Sequence, residues 1–298
     1  MPDQGTILAR GFRNFARFRR VNNVTWVELL AIFALAAIVV LSIFAPLIAP
    51  QNPYDLASID LMDGRLPPGS EGLSGMIYWL GTDDQGRDLL SGILYGARIS
   101  VIIGLASTVV SIVVGGGVGL IAAFCGGRVD AYLMRIVDLQ LSFPAILVAL
   151  ILIAILGRGV DKILLALIVV QWAYYARTMR GVALAERSKT YITAATALGL
   201  SPLRVMIRHL LPNCLGPIFV LGSVQIAHAI ALEATLSFLG LGLPVTEPSL
   251  GLLVSNGFAY MLSGRFWISF YPGLALFVLL ACLNIAADVV RRSLDRSA

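Results

Sequence analysis

A chain of 298 residues that is 58% hydrophobic and 13% charged, with a mean hydropathy of +0.87, is not a soluble domain, which would carry roughly a quarter charged residues. Its net charge of +5 does not mark a nucleic-acid binder, because the arginines flank apolar blocks and form no groove-sized patch. Cys125, Cys214 and Cys282 are scattered without a CxxC pair, and His209 and His228 have no neighbouring ligand residues, so neither a disulfide nor a metal framework is expected.

Residues 1–26 are polar and hold Arg10, Arg13, Arg17, Arg19 and Arg20, followed by an apolar run over 27–49. That run is too long for the apolar part of a signal peptide and reads as an uncleaved first membrane helix. A spanning helix needs about 20 mainly apolar residues. The runs over 27–49, 98–125, 131–157, 160–180, 214–240 and 267–290 meet that need, so the expected fold is an all-α polytopic membrane protein with six spans.

Between the first two spans, 50–97 is rather acidic, with Asp55, Asp60, Asp63, Glu71, Asp83, Asp84 and Asp88 against Arg65 and Arg87. It reads either as a solvated loop or as a docking surface for an external partner. Pro67-Pro68-Gly69 argues for irregular chain, and MIYWL (76–80) suits a membrane interface. In the second span Gly115 and Gly119 have the GxxxG spacing that lets helix backbones approach closely. Gly126-Gly127 closes that span, and Gly157-Arg158-Gly159 makes a hairpin between the third and fourth. The stretch 252–262 is too short to cross and reads as re-entrant or interfacial.

Polar groups inside spans usually face protein. Arg135 and Asp138 are placed to pair at i and i+3 near the end of the third span. Asn284 and Asp288 sit at i and i+4 near the end of the sixth. Glu233, deeper in the fifth, reads as a structural partner at a helix interface rather than a proton or substrate site. Of the 22 Lys and Arg residues, all but Arg65, Arg87, Arg98, Arg158, Lys162 and Arg265 fall on one side of these spans. The positive-inside rule makes that side cytoplasmic, with both termini on it.

The polar segment between the fourth and fifth spans is also cytoplasmic on this reading. Residues 184–198 are good helix formers, and Gly199 is a natural terminator because it enters the left-handed region without a Cβ penalty. Ser201 then suits an N-cap with Pro202 at the first helical position. A second helix is expected from 202 to about 211, limited by Pro212, with Leu203, Ile207, Leu210 and Leu211 on one face and Arg204 and Arg208 on another. Such a pair of helices rests on the lipid surface or fits a groove on another protein. The small residues Ala194, Ala195, Ala197 and Gly199 grip lipid poorly and favour the groove.

Several stretches then resemble one family. Ala194-Ala195, Gly199 and Leu211-Pro212 are spaced like the EAA loop of importer-type ABC transporter permeases, and His209-Leu-Leu-Pro-Asn is similar to the ending of that loop in the dipeptide/oligopeptide/nickel importer family. FAPLIAPQNPYDL (44–56), GTDDQGRDLLSGILYGARIS (81–100), MRIVDLQLSFPAILVAL (134–150) and EATLSFLGLG (233–242) resemble further blocks of that family. Asn284, Asp288, Arg291, Leu294 and Asp295 follow its C-terminal spacing. The likeness runs from about residue 27 and is nearest to the second (DppC/OppC-like) permease subunit. Thr193 stands where the loop usually has glutamate, Leu250 where tryptophan is common, Ala287 where glycine is usual, and Arg296 where a proline is usual.

The resemblance implies the type I ABC importer permease fold, with a cytoplasmic tail (1–26), a first helix and long external segment (27–97), a permease core (98–290) and a C-terminal tail (291–298). It implies a coupling helix that docks a separate ATPase through Thr193, Ala194, Ala195, Gly199, Arg204, Arg208, Leu211 and Pro212. Arg135, Asp138, Glu233, Asn284 and Asp288 are left as interface or translocation-path candidates. The partners implied are a homologous permease, two ATPase subunits, an extracytoplasmic binding protein and the inner-membrane bilayer. The chain has no GxxxxGK[ST] loop, so ATP and magnesium are expected on the partners and no cofactor on this chain. Peptides are the expected cargo, with a nickel chelate, glutathione, an opine or a sugar-derived compound as alternatives. A self-sufficient secondary carrier is the different-class alternative, disfavoured by the scarcity of ionisable groups at midplane.

Overall fold

The computed structural model describes residues 25–53, 55, 59–244 and 246–295. Almost all of the expected N-terminal tail, with its five arginines, and Arg296 lie outside the described residues. Helix α1 spans Trp26–Ile43 and opens on a capping box. The Thr25 hydroxyl accepts from the Glu28 N–H at 3.4 Å, and the Glu28 carboxylate accepts from the Thr25 N–H at 2.8 Å. A short turn, α2 (Ala45–Ile48), follows.

Helix α3 runs over Leu89–Cys125, so the second span starts well before the expected residue 98. Its start is set by Asp88, whose carboxylate accepts from the Ser91 N–H at 2.8 Å and the Ser91 hydroxyl at 2.6 Å. The expected single span over 131–157 is instead two helices, α4 (Gly127–Ser142) and α5 (Ala145–Leu156), bent by 90°. Pro144 causes the break: it donates no N–H, and it pushes the preceding Phe143 to an extended ψ of 141°.

Helix α6 (Val160–Arg187) continues past the expected end of the fourth span, and α7 (Thr190–Ala197) follows a break at Ser188-Lys189. The single helix expected over 184–198 is therefore divided. Helix α8 covers Pro202–Phe238, with a π turn over Val205–Leu210. Helix α9 (Leu250–Phe258) is too short to cross, as expected of that stretch, and α10 spans Trp267–Asp295.

Helices α1, α3, α8 and α10 are long and apolar enough to cross a membrane, and the bent pair α4–α5 makes a fifth if counted as one broken span. The fourth of the six expected spans belongs to α6, which has the length but not the apolar character. Its Gln171, Tyr175 and Met179 are buried against protein instead of facing lipid.

Helices α3 and α6 form the most extensive helix contact among the described residues. A Cβ on Gly115 would lie 2.1 Å from the Trp172 carbonyl oxygen, and one on Gly119 would lie 2.2 Å from that of Ala176. The GxxxG spacing thus does what it predicts, and two backbones meet without side chains between them. Gly117, on the same glycine run, faces open space.

The segment before α3 is largely irregular, as Pro67-Pro68-Gly69 suggests, but it is not simply solvated. Strands β1 (Ser70–Glu71) and β2 (Ile77–Tyr78) pair antiparallel, and the acidic residues are used internally. The Asp63 carboxylate accepts from the Tyr78 hydroxyl at 3.0 Å and the Leu73 N–H at 3.1 Å. The Thr82 hydroxyl donates to the Asp63 carbonyl at 2.6 Å, and the Gln51 side chain accepts from the Asp88 N–H at 2.8 Å. Of the stretch expected at the interface, Tyr78 is buried while Ile77 and Trp79 are exposed.

Candidate functional site

The bend between α6 and α8 is built from local chain chemistry. Glu186 brackets the break at 188–189: its two carboxylate oxygens accept from the Lys189 ammonium at 2.6 Å and the Tyr191 hydroxyl at 2.8 Å. These bonds, the one from Lys189 foremost, hold the Glu186 carboxyl below its ordinary range. Arg187 donates to the Ala123 carbonyl at 2.8 Å, satisfying a free acceptor in the last turn of α3.

Helix α7 ends as expected at Gly199, which takes φ +75°. The Gly199 N–H donates to the Thr196 carbonyl at 3.0 Å and the Leu200 N–H to the Ala195 carbonyl at 3.3 Å, a Schellman closure. Ser201 occupies the N-cap position ahead of Pro202, but its hydroxyl makes no capping bond.

Two expectations for the second half of the bend fail. Pro212 does not end the helix; α8 runs through it. The π turn ahead of Pro212 shifts the ladder where the proline has no N–H to donate. That wider turn also rotates the apolar face. Val205 and Leu210 turn inward, while Leu203 and Ile207 are exposed beside Arg204 and Arg208.

The bend therefore has two surfaces. Its inner side, Ile192, Ala195, Val205 and Leu210, packs in one cluster with Leu120 and Ala123 of α3 and Tyr175, Met179 and Ala183 of α6. Its outer side carries Thr193, Ala194, Ala197, Gly199, Arg204 and Arg208, all exposed, with Leu211 half-buried and Pro212 exposed at its edge. Among these stand three apolar side chains, Leu198 at 81% exposure, Leu203 at 61% and Ile207 at 52%. The sequence motifs do not single out Leu198, although a leucine directly before a helix-ending glycine is placed at the tip of the turn. The outer side is thus less weakly apolar than its alanines imply.

The remaining candidates separate. Asp138 pairs not with Arg135 but with Arg177 of α6, and Arg135 is exposed. A second bridge, from Arg180 to both oxygens of Asp130 at 2.5 and 2.6 Å, also ties α4 to α6. Glu233 is fully buried. Its oxygens accept from the Ser100 hydroxyl at 2.9 Å and the Ser237 hydroxyl at 2.8 Å, so it joins α3 to α8. Asn284 donates to its own helix at the Leu280 carbonyl (2.8 Å) and is exposed, as is Asp288. Arg292 of α10 instead reaches Glu28 of α1, a pair hidden from sequence reading because the partners are far apart in the chain.

Comparison with known proteins places this architecture. Residues 115–298 match the family described as binding-protein-dependent transport system inner membrane component. The di/tripeptide transport system permease protein DppC of Pseudomonas aeruginosa is 36% identical over 259 residues, covering 87% of this chain and 84% of that one. The oligopeptide transport system permease protein OppC of Bacillus subtilis is 34% identical over 279 residues, covering 94% and 87%. Among solved structures, the MetNI methionine ABC transporter in inward-facing conformations is similar with a TM-score of 0.57 at 20% identity, covering 69% of this chain and 97% of that one.

Proposed function

The chain belongs to the family of binding-protein-dependent transport system inner membrane components, and from that premise we propose that it is a permease subunit of an ATP-driven importer of di- or oligopeptides. The peptide cargo is supported by relatives named as di/tripeptide and oligopeptide permeases. One observation carries the mechanism. Leu198, Leu203 and Ile207 project from a bend whose inner side is built into the packing of α3, α6 and α8.

Exposed apolar side chains among arginines mark a surface that another protein covers. Here that protein is a separate ATPase subunit, which carries ATP and magnesium. A push on the bend moves three spanning elements together, because packed cores shift as units rather than deform. The result is alternating access driven from the ATPase.

On this reading both termini and the bend are cytoplasmic, and β1–β2 faces the opposite side, where a binding protein delivers cargo. A homologous permease completes the membrane pathway. The reading is tested by co-purification and uptake. The chain should bring down ATPase subunits, and the assembled complex should take up labelled dipeptides only with ATP. Transport by this chain alone in liposomes would refute it. A cysteine at the exposed Ser74 should react from outside the cell; reaction only after permeabilisation would invert the topology.

A further inference from the structure

Away from the bend, α5, α6 and α8 enclose a cleft of about 430 Å³, within the range of sites that hold small molecules, roughly 300–1,000 Å³. Gln171 and Tyr174 of α6 and Gln225, His228 and Thr235 of α8 line it, with Ala145 of α5 at one wall. No Asp, Glu, Lys or Arg is among the described lining residues. Gln225, His228 and Thr235 stand on one face of α8 at helical spacing, inside a span otherwise apolar enough to cross a membrane.

Polar side chains aimed at hydrocarbon are costly and rare, so the exposed His228 and Thr235 require that this face look onto water or protein. The Thr235 hydroxyl is already used, donating to the Ala231 carbonyl at 2.7 Å. Gln171 is not fully used. It is 3% exposed, its carbonyl oxygen accepts from the Thr108 hydroxyl at 3.5 Å, and its amide nitrogen has no partner. A buried donor left unmade costs free energy unless a ligand or water completes it.

We propose that this cleft is a cargo-contact site, in which Gln171, Gln225 and His228 hydrogen-bond the amide backbone of a passing peptide. The assignment rests on the peptide reading above. A backbone amide offers one donor and one acceptor, which matches side-chain amides and an imidazole. A wall without Asp, Glu, Lys or Arg holds each peptide through what all peptides share and leaves side-chain charge unread. The open donor of Gln171 is recessed, which suits a small ligand entering the cleft better than the flat flank of another helix.

Two measurements on the assembled, reconstituted transporter test this. The first replaces the exposed Cys125 by serine and introduces His228→Cys or Thr235→Cys. A membrane-impermeant methanethiosulfonate should label both cysteines, and added dipeptide should slow the labelling. Labelling only by a lipophilic maleimide would place the face against lipid and overturn the proposal. Labelling by neither reagent would place it against another subunit and would overturn the proposal as well.

The second measurement compares Gln171→Leu and Gln225→Leu in uptake of acidic, neutral and basic dipeptides, normalised to assembled complex. The apparent KM should rise about tenfold for all three, the scale of one lost hydrogen bond. An unchanged KM in both variants, or a change confined to one charge class, would overturn the proposal. A wild-type complex that moves no peptide, while its His228→Cys variant is labelled by the impermeant reagent, would refute the peptide cargo and the amide assignment with it. A water-lined cleft would then still stand.

Discussion

Two segments outside the membrane spans sit at opposite ends of α3, a 37-residue helix about 55 Å long at 1.5 Å per residue. They solve opposite problems. At the N-terminal end, residues 59–88 fold polar groups inward: Asp63, Thr82 and Asp83 are buried and bonded within the segment, and Asp88 is buried and bonded to Ser91 of α3. At the C-terminal end, residues 187–213 turn apolar groups outward at Leu198, Leu203 and Ile207. The first segment also exposes Leu61, Met62, Leu73 and Trp79, but its buried carboxylates tie it to itself and to α3, so it can serve as a fixed platform. The bend sets its exposed leucines and isoleucine beside Arg204 and Arg208, on an element whose inner side is packed against three helices, which suits a surface that moves with a partner. The acidic segment looks like a solvated loop from composition alone, yet Asp63, Asp83 and Asp88 are buried and hold local structure.

The contrast is broken most directly at the outward leucine and isoleucine. Leu198→Asp combined with Ile207→Asp should leave the melting behaviour of the chain within about 0.5 kcal/mol, because both residues are exposed. Uptake should nevertheless fall at least about thirtyfold, the scale of losing one interface hot spot. Loss of thermal stability without loss of uptake would mean that the bend is merely structural.

At the inward-folded end, pH provides the test. Burial pushes the Asp83 carboxyl up to about 6 from 3.8, against the opposing hydrogen bonds from the Arg87 and Gln85 N–H groups. A raised pKa means that the folded segment binds a proton more readily than the unfolded chain. Its contribution is therefore fully present below pH 3.8 and lost as pH rises through about 6. The span corresponds to about 3 kcal/mol at most. Asp83→Asn keeps the acceptor oxygen and should flatten this dependence when unfolding of the segment is followed by hydrogen exchange. A slope that persists in the variant would assign the titration elsewhere.

A smaller effect is expected at Gly199, where nothing crowds a new side chain but φ is +75°. Gly199→Val should cost about 1–2 kcal/mol through backbone strain alone, and should slow uptake more than it lowers the amount of folded protein. Equal losses in both would show no special role for the bend's shape. The smallest effect belongs to Asp88→Ala, which removes the cap of α3 and should cost about 1 kcal/mol, read as faster hydrogen exchange over 89–92 with uptake preserved.

What can be read from sequence divides along the range of the interactions. The glycine terminator at 199 and the close approach at Gly115 and Gly119 depend on a few adjacent residues and one backbone, and both are present, whereas the Ser201 hydroxyl makes no capping bond. The break at Pro144 is legible in principle, but a count of apolar residues over 131–157 passes over one proline. The π turn before Pro212 has no sequence signature of comparable strength, so the outward rotation of Leu203 and Ile207 does not follow from spacing. Arg177 as the partner of Asp138, and Arg292 as the partner of Glu28, depend on which helices pack together. Gln171, Gln225 and His228 become a group only once α6 and α8 are placed side by side.

The tip of the bend offers the most direct measurement. With Cys125 replaced by serine, Leu198→Cys should react rapidly with a water-soluble thiol reagent in the isolated chain, since the position is 81% exposed. In the assembled complex it should be protected and should crosslink to the ATPase subunit through a short bifunctional reagent. Equal reactivity in the isolated chain and the complex, with no crosslink, would contradict docking of the ATPase at this bend.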